Sequence, residues 1–142
     1  MIKLNENKFQ LIPEGTQVFH ITEVKYDADF GKLEITLLTK DGLKDIERFQ
    51  LIDNNGETNE KALNAFSYFC RMVMDDPNLA GDFDEQALVN KYVSATVEHQ
   101  KVPSKKDPSK TNIFYKLSDY AAAKSFGDFG TDIPATADDF DF

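Results

Sequence analysis

Residues 32–51 read KLEITLLTKDGLKDIERFQL, and this stretch decides the fold class. Leu33, Ile35 and Leu37 alternate with Lys32, Glu34 and Thr36. A strand here therefore has one apolar and one polar face. Asp41-Gly42 marks a hairpin. A two-residue loop would set Ile35 opposite Arg48, mixing apolar and charged side chains on one face. A three-residue loop, Asp41-Gly42-Leu43, sets Ile35 opposite Phe49 and Leu33 opposite Leu51. It also sets Thr36 opposite Arg48 and Glu34 opposite Gln50, so one face stays apolar.

Working outward, a strand pattern also begins after Pro13-Glu14-Gly15. Gln17, Phe19 and Ile21 alternate with Val18, His20 and Thr22, with apolar residues on both sides. That predicts strong curvature or a bulge near Thr22-Glu23. Residues 1–12 read as a loose arm or edge strand, and residues 27–31 as a loop. Beyond the hairpin, Asn54-Asn55-Gly56 ends the third strand. Thr58 or Asn59 caps a helix over about 60–74, with Ala62, Phe66, Phe69 and Val73 at helical spacing and Leu63 and Cys70 beside them. Residues 84–89 suggest a short second helix. Tyr92 to Val102 alternates again, a basic loop spans Pro103 to Lys110, and Ile113 to Leu117 reads as a short fifth strand. Ala121–Lys124 suggests a helical turn.

Three strands, a helix and two strands give a mainly β class. The order matches the five-stranded OB-fold, a Greek-key barrel with a helix between strands 3 and 4. A small α+β sandwich shares the same element count. The domain reading is a body over 1–125 and a disordered acidic tail over 126–142, which is small, acidic and aromatic with two Gly and a Pro.

The chain has 142 residues, 41% of them hydrophobic and 12% aromatic, enough for one domain with a real core. No apolar run approaches a membrane span, and the start lacks a signal-peptide pattern. With one cysteine there is no internal disulfide, which suits a reducing cytoplasm. The net charge is −9, which argues against a simple basic nucleic-acid binder. Yet five Asp and no Lys or Arg lie in 126–142, so the tail carries much of the excess.

Catalysis has little support. There is no phosphate-binding G-x-x-x-x-G-K-[ST] loop. His20 and His99 have no partners at ligand spacing and read as ordinary strand residues. Asp53-Asn-Asn-Gly-Glu57 misplaces the glycine of a calcium loop and lacks its final glutamate. Asp27, Asp29, Asp75 and Asp76 show no metal-ligand spacing, and Cys70 sits mid-helix among apolar neighbours. The expectation is a non-enzyme with no cofactor and no metal.

Single-stranded nucleic acid has better support, because such sites combine cations for phosphates with rings for stacking bases. The polar sheet face offers Lys32, Thr36, Arg48 and Gln50, and Tyr92, Phe114 and Lys116 have the parity to join it. The first loop adds Tyr26 and Phe30. The basic loop adds Lys101, Lys105, Lys106 and Lys110 against Asp107 alone.

The last residues, Asp138-Asp139-Phe140-Asp141-Phe142, interleave acids with phenylalanine. Exposed aromatics call for a binding partner, and one with a basic rim and an apolar pocket suits them. A body of this pattern with an acidic, Phe-terminated tip resembles bacterial and phage single-stranded-DNA-binding proteins. Pro13-Glu-Gly15, Ala62-Leu63, and Leu88-Val-Asn-Lys91 leading into Val97-Glu-His99 look closest to phage members, although that pattern usually has Gly where this chain has Asn90. The usual bacterial tip ends Pro-Phe, whereas this one ends Asp-Phe. The resemblance implies low-specificity coating of single-stranded DNA in phage replication or recombination, in the bacterial host cytoplasm. It also implies recruitment of replication and recombination proteins by the tip, and homo-oligomers belong to the same expectation. The rival is an acidic phage adaptor or inhibitor that binds a host protein and no DNA.

Overall fold

The structure, a computed structural model, describes residues 1–4, 11–106, 109 and 111–127. The elements are β1 (Gly15–Asp27), β2 (Lys32–Leu38), β3 (Lys44–Gln50), α1 (Glu60–Val73), a 3-10 turn (Glu85–Leu88), β4 (Tyr92–Pro103) and β5 (Thr111–Ala123). The five strands form one antiparallel sheet in the order β3-β2-β1-β4-β5.

β1 serves two neighbours. Its first half pairs with β4, from Gly15↔Val97 to His20↔Tyr92, and its second half pairs with β2. The change of partner coincides with a register shift between Ile21 and Glu23, where the sequence predicts a bulge. The extra residue bends the strand and strengthens its twist. The two edge strands then meet: the Tyr120 hydroxyl on β5 donates to the Glu47 carboxylate on β3. Phe69 of α1 lies under this seam, its ring edge-on to Tyr120 at 4.9 Å and tilted against Phe49 at 5.8 Å. The arrangement is β-barrel-like, with α1 packed on β3, β4 and β5.

The core follows the alternation in the sequence. Leu33, Ile35, Leu37, Val93, Ala95 and Val97 are buried, together with Phe19 and Ile21 of β1. Asn59 caps α1 by accepting the Ala62 N–H at 3.2 Å, Glu60 and Arg71 suit the helix dipole, and Phe69, Cys70 and Val73 face inward.

Four expectations need correction. The β2–β3 register is two residues away from the sequence-based one: Ile35 faces Glu47, Leu33 faces Phe49, and Glu34 faces Arg48. The tight loop is Lys40-Asp41-Gly42, closed by the Thr39 N–H on the Leu43 carbonyl at 2.9 Å. Gly42 has φ +84, so the glycine must end the loop in the left-handed region, a position unfavourable for Leu43. A two-residue shift preserves the faces, which is why the core side still follows from the alternation.

β5 is the second correction, because it is longer than a short strand and runs through Ala121–Ala123 with no helical turn there. Those alanines pair with Ser94, Val93 and Tyr92, and the pairing overrides their helical propensity. An irregularity between Ser94 and Thr96 accompanies Asp119 at φ +51. Third, the arm expected over 1–12 ends in the core, since Ile12 has no exposure. Fourth, Tyr26 belongs to β1, not to the first loop; it pairs with Leu33.

Candidate nucleic-acid interface

The β1–β4 ladder stops at Val97, but β4 and β5 continue pairing from Glu98↔Lys116 to Pro103↔Thr111. The result is a two-stranded ribbon beyond the β1 ladder. Its outer face carries Glu98, Gln100, Val102, Asn112, Phe114 and Lys116, all exposed. Phe114 is 53% exposed and Val102 45%. The other face anchors the ribbon. The Ile12 N–H donates to the Tyr115 hydroxyl at 3.0 Å, and the His99 Nε2 lies 2.6 Å from the Ile12 carbonyl. The His99 N–H donates to Glu14 at 2.9 Å. The exposed Phe114 ring and Lys116 thus stand on a support fixed at its base.

The expected site residues fall into three groups. Phe114, Lys116, Lys101, Lys105 and Lys106 belong to the ribbon and its turn. Lys101 has the opposite parity to Phe114 and lies on the anchored face, so the ribbon presents cations on both sides. A second group lies at the far end of β1: Tyr26, Phe30, Lys32 and Arg48. Phe30 is 71% exposed on a rigid loop. The Gly31 carbonyl accepts the Leu51 N–H at 2.7 Å, and Gln50 Nε2 donates to the carbonyls of Phe30 and Ile52. Gly31 has φ +66, and a Cβ there would stand 2.5 Å from the Ile52 side chain. Gln50 therefore holds the loop. Arg48 is paired with Glu34 at 3.0 Å. In ladder register this group and the ribbon lie at opposite ends of β1, so the residues expected on one face and one rim are not one contiguous patch.

Tyr92 stands apart as the third group. Its ring stacks on His20 at 4.6 Å, and Phe126 meets Tyr92 edge-on at 5.1 Å. It is half-buried, where the sequence suggested an open ring. Lys110 and the tip residues Asp138, Asp139, Phe140, Asp141 and Phe142 lie outside the described residues.

Compared with protein-family models and with curated proteins, the chain matches none. Among the described residues no group of three His, Cys, Asp or Glu could hold a metal, and no helix is long and apolar enough to cross a membrane. Burial pushes the Cys70 thiol up to about 12, so it carries little thiolate at neutral pH. The sequence reading missed His20 and Phe126 as ring partners of Tyr92, and it missed Lys91 and Lys124, which line a groove with Tyr92. Strand periodicity carries no signal for these, because the lysines flank strand ends and Phe126 follows the last strand.

Proposed function

We propose that this chain is an OB-fold protein that binds single-stranded DNA with little sequence preference. The observation that carries this reading is the ribbon: an exposed phenylalanine on a β-hairpin, with Lys116 and Glu98 on its own face, Lys101 on the other face, and Lys105 and Lys106 in the turn. A ring presented to solvent suits base stacking, which is sequence-tolerant because every base has a π-face. Local cations suffice for phosphates even when the whole molecule is acidic. The strand order, the helix between β3 and β4 and the Tyr120–Glu47 seam support the OB reading. Asn90 also fits it. At φ +70 it occupies the left-handed region, where Gly and Asn are the tolerated residues, so the Gly-to-Asn departure costs little.

A role in phage replication or recombination, and partner recruitment through the tip, rest on the resemblance alone. The test is a titration of fluorescent oligo-dT at rising salt, with duplex DNA and oligo-U as comparators. Binding that weakens log-linearly with salt supports the reading. Absence of binding at low salt overturns it and leaves the protein-adaptor reading.

A further inference from the structure

A groove of about 420 Å³ runs between α1 and the loop that follows it, within the roughly 300–1,000 Å³ usual for ligand pockets. Its walls are apolar. Leu63 and Phe66 come from α1, Leu51 from the segment after β3, and Leu79 and Phe83 from the loop. Leu51, Phe66, Leu79 and Phe83 are half-buried: they pack against the core and also face the groove. The loop is tied to α1 at Arg71. The Asp76 N–H donates to the Arg71 carbonyl at 3.0 Å, and Arg71 Nε donates to the Leu79 carbonyl at 2.9 Å. The groove is therefore formed without an occupant.

Charge surrounds it unevenly. Residues 72–90 hold Asp75, Asp76, Asp82, Asp84 and Glu85 and no Lys or Arg. Asp82 lines the groove, is exposed and makes no ion pair among the described residues. Arg71, the cation in the lining, turns its Nε to the loop backbone. An occupant that suits these walls has apolar anchors with a cation beside them.

The chain carries such a segment. Residues 1–4 read Met1-Ile2-Lys3-Leu4, three apolar residues around a cation. Ile2 is 85% exposed and Leu4 83%, so neither packs on its own body. Exposed apolar side chains that lie together, unlike single scattered ones, mark an interaction site. Ile2 and Leu4 share one side of an extended chain, and Lys3 stands between them. Ile12 is fixed at the base of the ribbon through Tyr115 and His99. The eight positions from Leu4 to Ile12 span at most roughly 29 Å, which lets this arm reach a neighbour.

We propose that Met1–Leu4 of one copy docks in the α1 groove of a second copy, with Ile2 and Leu4 against Leu79 and Phe83 and Lys3 beside Asp82. Two or three side chains bury far less than the roughly 1,200 Å² of a standard interface, so the contact is weak and copies separate on dilution. It is also heterologous. Arm and groove are different surfaces, so each copy can hold one neighbour and be held by another. The contact does not depend on the single-strand reading above. Where that reading holds, it would join copies along the strand and make coating cooperative.

Sedimentation velocity of the full chain without DNA, over rising concentration, tests this, with melting temperature followed for every variant. Ile2→Ser/Leu4→Ser removes the anchors. Ala80→Lys, at an exposed residue that lines the groove, fills it and repels Lys3. Asp82→Lys, at another exposed position, is a second groove variant and should weaken association in the same direction. The unaltered chain should form dimers and longer species as concentration rises. Ile2→Ser/Leu4→Ser and Ala80→Lys should each associate about tenfold more weakly or worse, the scale set by losing buried apolar anchors, with unchanged melting temperature. An equimolar mixture of these two variants should form pairs and nothing larger, because one supplies the intact groove and the other the intact arm. The proposal is overturned if the unaltered chain stays single up to millimolar concentration, as it would with the arm in its own groove. It is equally overturned if the variants associate like the unaltered chain, or if the mixture does not pair. Failure to bind oligo-dT leaves these outcomes untouched, so the two readings fail separately.

Discussion

Tyr120 and Glu47 hydrogen-bond across the seam between β5 and β3, the two outermost strands of the sheet order. Glu47 lies in register with Ile35, a fully buried core residue, so its carboxylate faces inward. Burial raises the Glu47 pKa above its ordinary 4.5, and the Tyr120 hydrogen bond only partly opposes this. Burial, then the Glu47 charge, raises the Tyr120 pKa, so the phenol stays protonated and available as donor. Two strands that share no ladder among the described residues are joined by one polar contact over Phe69.

That geometry sets a pH dependence. A carboxyl whose folded pKa is raised binds its proton more tightly in the folded state. Its effect is neutral below the unfolded value and becomes destabilising as pH rises through the folded one. Glu47→Gln keeps an acceptor for Tyr120 and removes the charge. The variant should melt higher than the parent at pH 7, and the gain should vanish below about pH 4.5. Asp45, itself raised by burial, remains in both proteins, and relief of its repulsion with Glu47 is part of the gain. Tyr120→Phe should instead destabilise by about 1–3 kcal/mol by leaving the buried acid without its donor. Thermal melts across pH for the three proteins check both outcomes.

The ribbon lysines should act through charge alone. Lys105→Ala/Lys106→Ala should weaken binding to all single-stranded sequences alike and lower the salt slope by roughly 0.7 for each lysine that pairs with a phosphate. Titrations of oligo-dT and oligo-dC at several salt concentrations check this. A loss confined to one sequence contradicts it.

Phe114 and Phe69 provide a matched pair of truncations. Phe114 is 53% exposed on the ribbon, whereas Phe69 has no exposure. Phe114→Ala should cost roughly 1–3 kcal/mol of binding with an unchanged melting temperature. Phe69→Ala should cost about 3–5 kcal/mol of stability and reduce binding only through unfolding. Melts and affinities measured on the same samples separate the two roles.

Gly31→Ala should both destabilise and disturb the Phe30 loop. The backbone has φ +66, and the new Cβ would collide with Ile52. A cost of about 1–3 kcal/mol follows from the backbone alone. If Phe30 takes part in binding, affinity falls as well. A fluorescence titration below the melting transition checks this second effect.

What could be read from the chain, and what could not, divides by how far apart the interacting residues lie. Leu33, Ile35 and Leu37 reveal their face by alternation. Asn59 reveals the helix start because its side chain bonds the backbone three residues on. The Ile21–Glu23 bulge shows because apolar residues fall on both sides of one strand. The ribbon residues Phe114 and Lys116 were legible as exposed by parity. Other features were not legible in this way. The β2–β3 register lay two residues off because the turn requires φ > 0 at Gly42 itself. Ala121–Ala123 have helical propensity, yet pairing with Tyr92, Val93 and Ser94 draws them into β5.

From the sequence alone came the element types, the core faces and the candidate cations and rings, since these depend on side-chain periodicity and on neighbours a few residues apart. Only the tertiary structure decided which of them meet: Phe30 and Phe114 beyond opposite ends of β1, Tyr92 against His20 and Phe126, and Tyr120 on Glu47. The physical reason is that a ladder joins residues tens of positions apart, and each bulge changes which ones face each other.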